Sequence, residues 1–421
     1  MNCPLAHENC ILGGQPMHKP VSSPTLKTGS LAALILILSI GTLLRAWPSA
    51  GFQGVGYDEH QYSNYVGMAA EEGLRNYGRV VHIYMVAQAE RPEAVVPPTR
   101  IGFLWPAVLL AKAGLTPFEA LRAISLSAGI ALLLLTATIA YRFAGAAQVL
   151  GFTTLIAVAP LQIYLAQRAL IDGYFGFLAA LCAWFLLECL RAPKAKGWLV
   201  AYGFGLFILV LTKENAAFVF LALLATAALL SLIRVDRISG PIVIVSVVAP
   251  ALAVLVLASF LGGITEWISF YRMFVHKSAA IPYVLKFQDG AWYRYLVDFA
   301  VLSPAILALV FGRIFQLEKR SGIDLFWALF LGFSFVCMST VPYGMSLRFA
   351  AFWDVPMRWL ASSQLLCTAN RIPGRVRPLL LIAAFLLLVT IDLSQYHRLF
   401  VKSRIYDPVS AQLLRASDLI K

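Results

Sequence analysis

The stretch QRALIDGYFGFLAALCAWFLL, residues 167–187, contains both features that decide the fold. Arg168 and Asp172 stand near its start, and no charged residue occurs from 173 to 187. An apolar run that approaches about 20 residues can cross a hydrocarbon core of roughly 30 Å as an α-helix. We interpret the stretch as a membrane span with charged residues at one end, an arrangement that is costly in a bilayer and usually functional.

Long apolar runs recur along the whole chain of 421 residues, which is 60% hydrophobic and only 13% charged. This composition argues against a soluble domain, and unbroken apolar blocks argue against the alternating strands of a membrane β-barrel. The sequence therefore predicts an all-α polytopic membrane protein with about 11 transmembrane helices. The predicted spans are 28–48, 118–141, 147–165, 170–190, 198–212, 215–233, 241–261, 295–314, 323–341, 348–367 and 378–396.

The positions of Lys and Arg indicate the orientation of these spans. With the N-terminus in the cytoplasm, every predicted inner connection is basic, as the positive-inside rule requires. Topology thus explains most of the net charge of +13 without a nucleic-acid partner. We predict a disordered cytoplasmic tail (1–27), a transmembrane domain (28–396) and a short non-cytoplasmic C-terminal tail (397–421).

Two larger loops lie outside in this topology, 49–117 and 262–294, and we expect juxtamembrane helices in them. The segment 101–115, IGFLWPAVLLAKAGL, is apolar but short for a span and contains Pro106. A true span there would place the later basic loops outside, so we predict a helix along the membrane face.

Cations collect at the outer ends of the spans, where the positive-inside rule expects few. Arg168, Lys213 and Arg348 stand at span ends, and His276 and Lys277 lie in the second outer loop. Cations that face a common cleft would suit an anionic ligand such as phosphate. The alternative interpretation is that these side chains extend to lipid headgroups.

Acids occur on the same predicted side. Asp58 and Glu59 follow the first span, Asp172 begins the fourth, and Glu214 follows Lys213. Such acids can act as a general base, bind a divalent cation, or do both, so Asp58, Glu59 and Asp172 are candidate metal ligands. No cofactor is required by the pattern itself. The alternative for Asp58 and Glu59 is the N-terminal cap of a helix.

Short motifs in a fixed order resemble the GT-C membrane glycosyltransferases, and among them the protein O-mannosyltransferases and lipid A aminoarabinose transferases of the family 39 type. GYDEHQY is similar to the Asp-Glu-x-x-Tyr opening of that branch through Asp58, Glu59 and Tyr62. VPPTRIGFLW resembles its His-Pro-Pro-Leu loop, with Val96 in place of the His and Thr99 in place of the Leu.

The later motifs follow in the same order along the chain. FEALRAISLS matches an Arg before a helix through Arg122, and QRALID matches Arg-x-x-x-Asp through Arg168 and Asp172. GLFILVLTKENA matches a Gly-Leu…Thr-Lys segment through Lys213, and MSLRFAAF resembles a late Arg-Tyr/Phe motif through Arg348. The resemblance covers roughly 30–395 and implies the GT-C fold.

The resemblance also implies an activity. Such enzymes transfer a sugar from a polyprenyl-phosphate (dolichyl-phosphate-like) donor to an acceptor hydroxyl on the non-cytoplasmic side, with inversion. Asp58 is then the expected base, with Glu59 and Asp172 as further catalytic acids. The acceptor would be a lipid, a glycan or a protein, and a bacterial inner membrane is the expected location. The remaining expected site residues are Lys213, Arg348, Arg168 and Arg122 for the donor phosphate and Tyr62, His276 and Lys277 for substrate.

Two other classes of protein are compatible with charges in a helical bundle. A transporter or flippase for an anionic or lipid-linked substrate should show internal repeats and charges at mid-membrane, and we detect neither. A non-catalytic lipid-binding subunit is the third possibility. Asp354 and Arg358, four residues apart, are better interpreted as a buried stabilising pair than as catalytic groups.

Overall fold

A computed structural model describes residues 27–47, 54–318, 322–341, 344–372 and 374–420. Within these ranges the chain consists of helices joined by turns, with no strand. The predicted tail 1–27 lies outside the described residues except for Lys27. The helices are α1 (Thr28–Ala46), α2 (Tyr57–Glu72), α3 (Tyr77–Glu90), α4 (Ile101–Lys112), α5 (Pro117–Phe143), α6 (Ala146–Ala157), α7 (Pro160–Gln167), α8 (Ile171–Arg191), α9 (Lys196–Thr212), α10 (Ala216–Leu232), α11 (Gly240–Leu261), α12 (Ile264–Ala279), α13 (Arg294–Leu302), α14 (Pro304–Phe315), α15 (Gly322–Ser339), α16 (Asp354–Asn370), α17 (Arg377–Tyr396) and α18 (Ser410–Ala416).

The all-α polytopic architecture is confirmed. Six helices in the described ranges are long and apolar enough to cross a membrane, or seven if the bent pair α6–α7 forms one span. Helix also occupies the remaining predicted spans, but α9, α10 and α14 are shorter apolar helices. The number of spans therefore stays a prediction.

The third predicted span is bent by 55° between α6 and α7. Pro160 begins α7 and has no N–H to continue the ladder of α6. The fully buried Arg45 of α1 donates to two backbone carbonyls at the bend, Ile156 O at 2.8 Å and Ala157 O at 3.0 Å. α1 can approach this closely because residue 41 is glycine: a Cβ on Gly41 would lie 2.9 Å from that of Ala157. The hydrogen bonds of Arg45 to the backbone carbonyls therefore stabilise the bend within the bundle.

Two other predicted spans are interrupted. The span at 295–314 consists of α13 and α14, which meet at Ser303–Pro304. The span at 348–367 starts with a 3₁₀ helix, Leu347–Trp353, before α16. Irregular backbone at membrane depth occurs where protein surrounds it or where it borders a cavity. The 3₁₀ helix carries Arg348 at such a place.

The first outer loop folds into α2, α3 and α4, and the predicted helix at 101–115 is present as α4. α4 packs against α2, α5 and α9. α5 begins with a capping box, in which the Thr116 hydroxyl accepts from the Glu119 N–H at 3.3 Å and the Glu119 carboxylate accepts from the Thr116 N–H at 3.0 Å. The loop therefore forms a second apolar core on one end of the bundle, separate from the core between α5 and α16.

Candidate active site

Charged residues from four distant parts of the chain meet where the two apolar cores join. Asp58 and Glu59 lie in the first turn of α2, and Asp172 lies in the first turn of α8. The three cations of the cluster follow the C-terminal end of a helix or lie in a 3₁₀ helix. They are Arg168 after α7, Lys213 at the end of α9, and Arg348 in the 3₁₀ helix.

Arg348 occupies the centre of this cluster. Its Nη2 lies 2.7 Å from Asp58 Oδ2, its Nη1 lies 3.9 Å from Asp172 Oδ2, and its Nε lies 3.5 Å from Asp407 Oδ1. The guanidinium thus stands between three carboxylates. Because its side chain is only 8% exposed, these carboxylates compensate a charge that water reaches poorly.

Lys213 and Asp172 form a second ion pair beside it, and both side chains are almost completely buried. The Lys213 Nζ also lies 4.0 Å from the centre of the Phe349 ring, and the Arg348 Cζ lies 5.0 Å from the same ring. Phe349 therefore holds two cations side by side through its face. Two adjacent cations and three carboxylates thus share one buried cluster.

Glu59 differs from Asp58 although the two are adjacent. Its carboxylate pairs with Arg168 and accepts from the backbone N–H groups of Ala169 at 2.8 Å and Gly56 at 2.7 Å. Both of its carboxylate oxygens accept hydrogen bonds, and the side chain is 0% exposed, against 18% for Asp58. Glu59 therefore fixes α2 to the start of α8, and Asp58 is the more exposed of the two acids.

A further ion pair closes the site beside Lys213. Arg100 donates to Glu214 Oε2 from Nη2 at 2.8 Å and from Nε at 3.2 Å, and it also contacts the Tyr62 hydroxyl. Tyr62 is completely buried and supports Arg100 in this structure. Its expected role in binding substrate stays a prediction.

Tyrosines hold the loop that carries Arg100. Tyr65 donates to Val96 O at 2.9 Å, Tyr77 to Pro98 O at 2.6 Å and Tyr84 to Val95 O at 2.8 Å. Consecutive prolines offer carbonyls but no N–H groups, so this loop needs side-chain donors. The Pro-Pro motif thus has a structural use here even though Val96 stands where the motif has His.

Three expected site residues lie apart from the cluster. Lys277 donates to Gln88 O at 2.6 Å and Arg91 O at 2.7 Å, and so caps the carbonyl end of α3. His276 is exposed on α12. Arg122 is half-buried at the same end of the bundle, but its side chain has no hydrogen bond or ion pair within the described ranges. Lys277 is therefore a helix cap in this structure, and its expected substrate role stays a prediction.

Asp354 and Arg358 form the predicted buried pair, with Nε 3.2 Å from Oδ1. Arg358 also pairs with Asp392 at 2.5 Å and donates to Leu155 O at 2.9 Å. This network ties α16 to α6 and α17, away from the cluster. A separate pair, Arg142–Glu188 at 2.6 Å, lies at the opposite end of α8.

The carboxylates of the site do not fit a shared divalent cation. Among the described residues no group of three or more His, Cys, Asp and Glu side chains is arranged to hold a metal ion. Asp58, Glu59 and Asp172 each face a different cation instead. A metal would have to compete with three ion pairs, so we derive no step through one.

The sequence missed Arg100, Tyr406 and Asp407 as members of this site. Asp407 is buried and accepts from Gln288 at 2.6 Å and Tyr283 at 3.1 Å, in addition to facing Arg348. For Tyr406 and Asp407, the available signal in the sequence was the predicted placement of the C-terminal tail on the same side of the membrane as the acids. Nothing in the tail's composition distinguishes Asp407 from an exposed acid.

No family model matches the chain, and no curated protein matches it. Solved structures do. ArnT from Cupriavidus metallidurans, bound to undecaprenyl phosphate, superposes with a TM-score of 0.55 at 14% identity, covering 92% of this chain and 77% of that one. The archaeal oligosaccharyltransferase AglB from Archaeoglobus fulgidus, in complex with an inhibitory peptide and a dolichol-phosphate, gives a TM-score of 0.56 at 12% identity. That alignment covers 88% of this chain and 55% of AglB.

A third structure, the oligosaccharyltransferase of the same archaeon in complex with Zn and sulfate, gives a TM-score of 0.56 at 12% identity. It aligns with 86% of this chain and 52% of its own length, so this chain spans about half of the archaeal enzyme. At such identities the comparison bears on fold. The GT-C fold expected from the motifs is confirmed.

Proposed function

We propose that this protein, an integral membrane protein with the GT-C fold, transfers a sugar from a polyprenyl-phosphate donor to an acceptor hydroxyl. The observation that carries the proposal is the placement of Asp58, a partly exposed acid, 2.7 Å from Arg348, which is itself beside Lys213. A base next to a pair of cations is what sugar transfer from a phosphate requires. The solved relatives with undecaprenyl phosphate and dolichol-phosphate support the class of donor.

The ion pairs suggest how the donor engages. A donor phosphate competes with Asp58 for Arg348, because both are anions and phosphate forms bidentate bonds with guanidinium. Lys213 supplies the second cation and stays in place through Asp172. When the phosphate takes over Arg348, the Asp58 carboxylate becomes available as a proton acceptor.

The transfer step then follows from these positions. The acceptor oxygen forms a bond to the anomeric carbon while its proton passes to Asp58. The bond between that carbon and the phosphate oxygen breaks, and polyprenyl phosphate leaves with the electron pair. Arg348 and Lys213 stabilise the negative charge that develops on the leaving phosphate, and attack from the opposite face inverts the anomeric centre. Glu59 and Asp172 act as positioning residues.

We further propose that the site faces the non-cytoplasmic side, with a bacterial inner membrane as the location. The support is the positive-inside rule. The cluster lies at the start of α8, whereas Arg142 pairs with Glu188 and Arg191 ends the helix at its other end. The acceptor is a lipid, a glycan or a protein that reaches Asp58 from that side.

The transporter interpretation receives less support from the geometry. The charged cluster stands at one end of the bundle, at helix termini, and a carrier is expected to bind its substrate near mid-membrane between repeats. The fold comparison also points to transferases. A transporter would bind the lipid-linked sugar but leave it intact.

The test is donor-dependent turnover by the full chain in nanodiscs. The protein is mixed with a panel of polyprenyl-phosphate sugars and a membrane lipid extract, and released polyprenyl phosphate is measured by mass spectrometry. Release from one donor, reduced in Arg348→Gln and unchanged in Arg79→Gln, which removes an exposed ion pair, supports the transferase. Tight binding of a donor that survives intact supports the transporter instead.

A further inference from the structure

The C-terminal segment 405–410 folds back into the charged cluster. The Tyr164 hydroxyl donates to the backbone carbonyl of Tyr406, and the N–H of Leu347 donates to Pro408 O at 3.1 Å. Leu347 is the neighbour of Arg348, so the segment is fixed directly to the helix that carries the central guanidinium. A tail that merely follows the last span would need no such bonds.

A second set of contacts fixes the far end of the segment. The Ser410 hydroxyl donates to Asp298 of α13 at 2.5 Å and accepts from Arg294 Nε at 2.9 Å. Just before the segment, Arg404 adopts φ 52°, a left-handed conformation that a residue with a Cβ rarely takes. Surrounding contacts must hold such a turn, and strained turns concentrate at functional sites.

The ring of Tyr406 lies against two guanidinium groups. The Cζ of Arg168 lies 4.9 Å from the centre of its ring and that of Arg348 lies 6.0 Å from it. The hydroxyl reaches the start of α2: a Cβ on Gly56 would lie 2.2 Å from it. This oxygen is buried and has no hydrogen-bond partner among the described residues, although buried hydroxyls nearly always have one.

Unused donors of Arg348 share this space. Its Nε and Nη1 make no hydrogen bond within the described part of the chain, although carboxylates lie 3.5 and 3.9 Å away. Because Asp407 covers the Nε side, Nη1 is the donor that an anion could satisfy together with the Tyr406 hydroxyl. Burial raises the pKa of the Tyr406 phenol, so the group stays protonated and donates.

The Asp407 carboxylate faces the Nε side of the same guanidinium. Ser346 donates to Asp407 Oδ1, while Gln288 and Tyr283 donate to Oδ2 at 2.6 Å and 3.1 Å. These bonds fix the carboxylate against the Nε side of Arg348. Asp407 thus orients the guanidinium toward Asp58 and has little capacity left to bind a substrate itself.

We propose that the C-terminal segment completes the donor-phosphate site: Tyr406 donates a hydrogen bond to the phosphate, and Asp407 is the positioning residue of Arg348. The inference rests on the proposed function and extends it to two residues outside the matched motifs. It also gives Gly56 a role, since any side chain there would displace the Tyr406 ring.

The test measures the affinity of the full chain in nanodiscs for undecaprenyl phosphate, together with kcat and KM for the donor. Tyr406→Phe removes only the hydroxyl and should weaken undecaprenyl-phosphate binding about tenfold or more, with the melting temperature unchanged. Asp407→Asn should raise KM for the donor by a similar factor, and Asp407→Glu should recover part of it. Gly56→Ala should also weaken binding, but it should lower the melting temperature because its Cβ would clash with the Tyr406 ring.

Asp418→Asn is the matched control, because Asp418 pairs with Arg398 on the same C-terminal tail but is 91% exposed. It should match wild type in every readout. Wild-type affinity in Tyr406→Phe and Asp407→Asn, with an active wild type, overturns this inference and leaves the proposed function standing. A wild type that neither binds undecaprenyl phosphate nor turns over a donor overturns both.

Discussion

Arg348 and Asp58 form an ion pair, with Nη2 2.7 Å from Oδ2, that joins the first turn after the first span to a 3₁₀ helix late in the chain. The pair places the candidate base beside the candidate phosphate ligand. It also leaves Asp58 the most exposed of the three acids at 18%, against 2% for Asp172 and 0% for Glu59. The difference in exposure supports the proposal that Asp58 reacts with substrate while Glu59 and Asp172 hold the site.

Variants of the Asp172–Lys213 pair can distinguish an effect on stability from an effect on activity. Asp172→Asn leaves the Lys213 ammonium buried without its counter-charge, which should cost about 3–5 kcal/mol of unfolding free energy. The double variant Asp172→Asn, Lys213→Met removes both charges and should recover most of that stability. It should stay inactive, because the second phosphate cation is gone.

Thermal unfolding in detergent and donor turnover check both expectations. A double variant with wild-type turnover would show that Lys213 does not serve the donor. A double variant as unstable as Asp172→Asn would show that the pair is not the source of the lost stability.

Arg45 should matter for folding only. Arg45→Met removes a donor to the Ile156 and Ala157 carbonyls at the bend between α6 and α7. Ile156 O keeps the Ala159 N–H at 3.3 Å, so the main loss is the bond to Ala157 O, and a buried carbonyl left unsatisfied costs about 1–3 kcal/mol. We expect a melting temperature lower by several degrees and an unchanged KM of the surviving protein. Arg398→Met, which removes an exposed pair, is the control. It should cost less than about 1 kcal/mol of unfolding free energy.

Chelation should leave transfer intact. Asp58, Glu59 and Asp172 each pair with a cation of the chain, and the group that Asp58 and Asp172 share is the Arg348 guanidinium. We therefore expect the same rate of polyprenyl-phosphate release with and without EDTA. A loss of rate that Mn²⁺ or Mg²⁺ restores would contradict this arrangement of the carboxylates.

The parts of the site that the sequence could predict are those with a membrane signal. Arg168, Asp172, Lys213 and Arg348 stand at the ends of apolar runs, where a charge is costly and therefore informative. Their sidedness followed from the basic inner loops, and their convergence at one end of the bundle is observed. The bends at Pro160 and Pro304 changed the shape of two spans but not their positions.

The parts that the sequence could not predict depend on tertiary contacts. Asp407 lies in a tail where acids are ordinarily exposed, and only its bonds to Gln288 and Tyr283 make it part of the site. Lys277 lies in a cation-rich loop, as a ligand-binding residue would, yet its position against the carbonyl end of α3 makes it a helix cap. Sequence spacing cannot reveal which carbonyls a loop lysine will meet.

The central claim is that Asp58 removes the acceptor proton, and the rate of polyprenyl-phosphate release by wild type and by Asp58→Asn tests it most directly. The amide keeps the size of the side chain but cannot take a proton, so release should fall by about 100-fold or more, the usual contribution of a general base. Binding of undecaprenyl phosphate and the melting temperature should persist. An Asp58→Asn protein that releases polyprenyl phosphate at the wild-type rate would contradict the account.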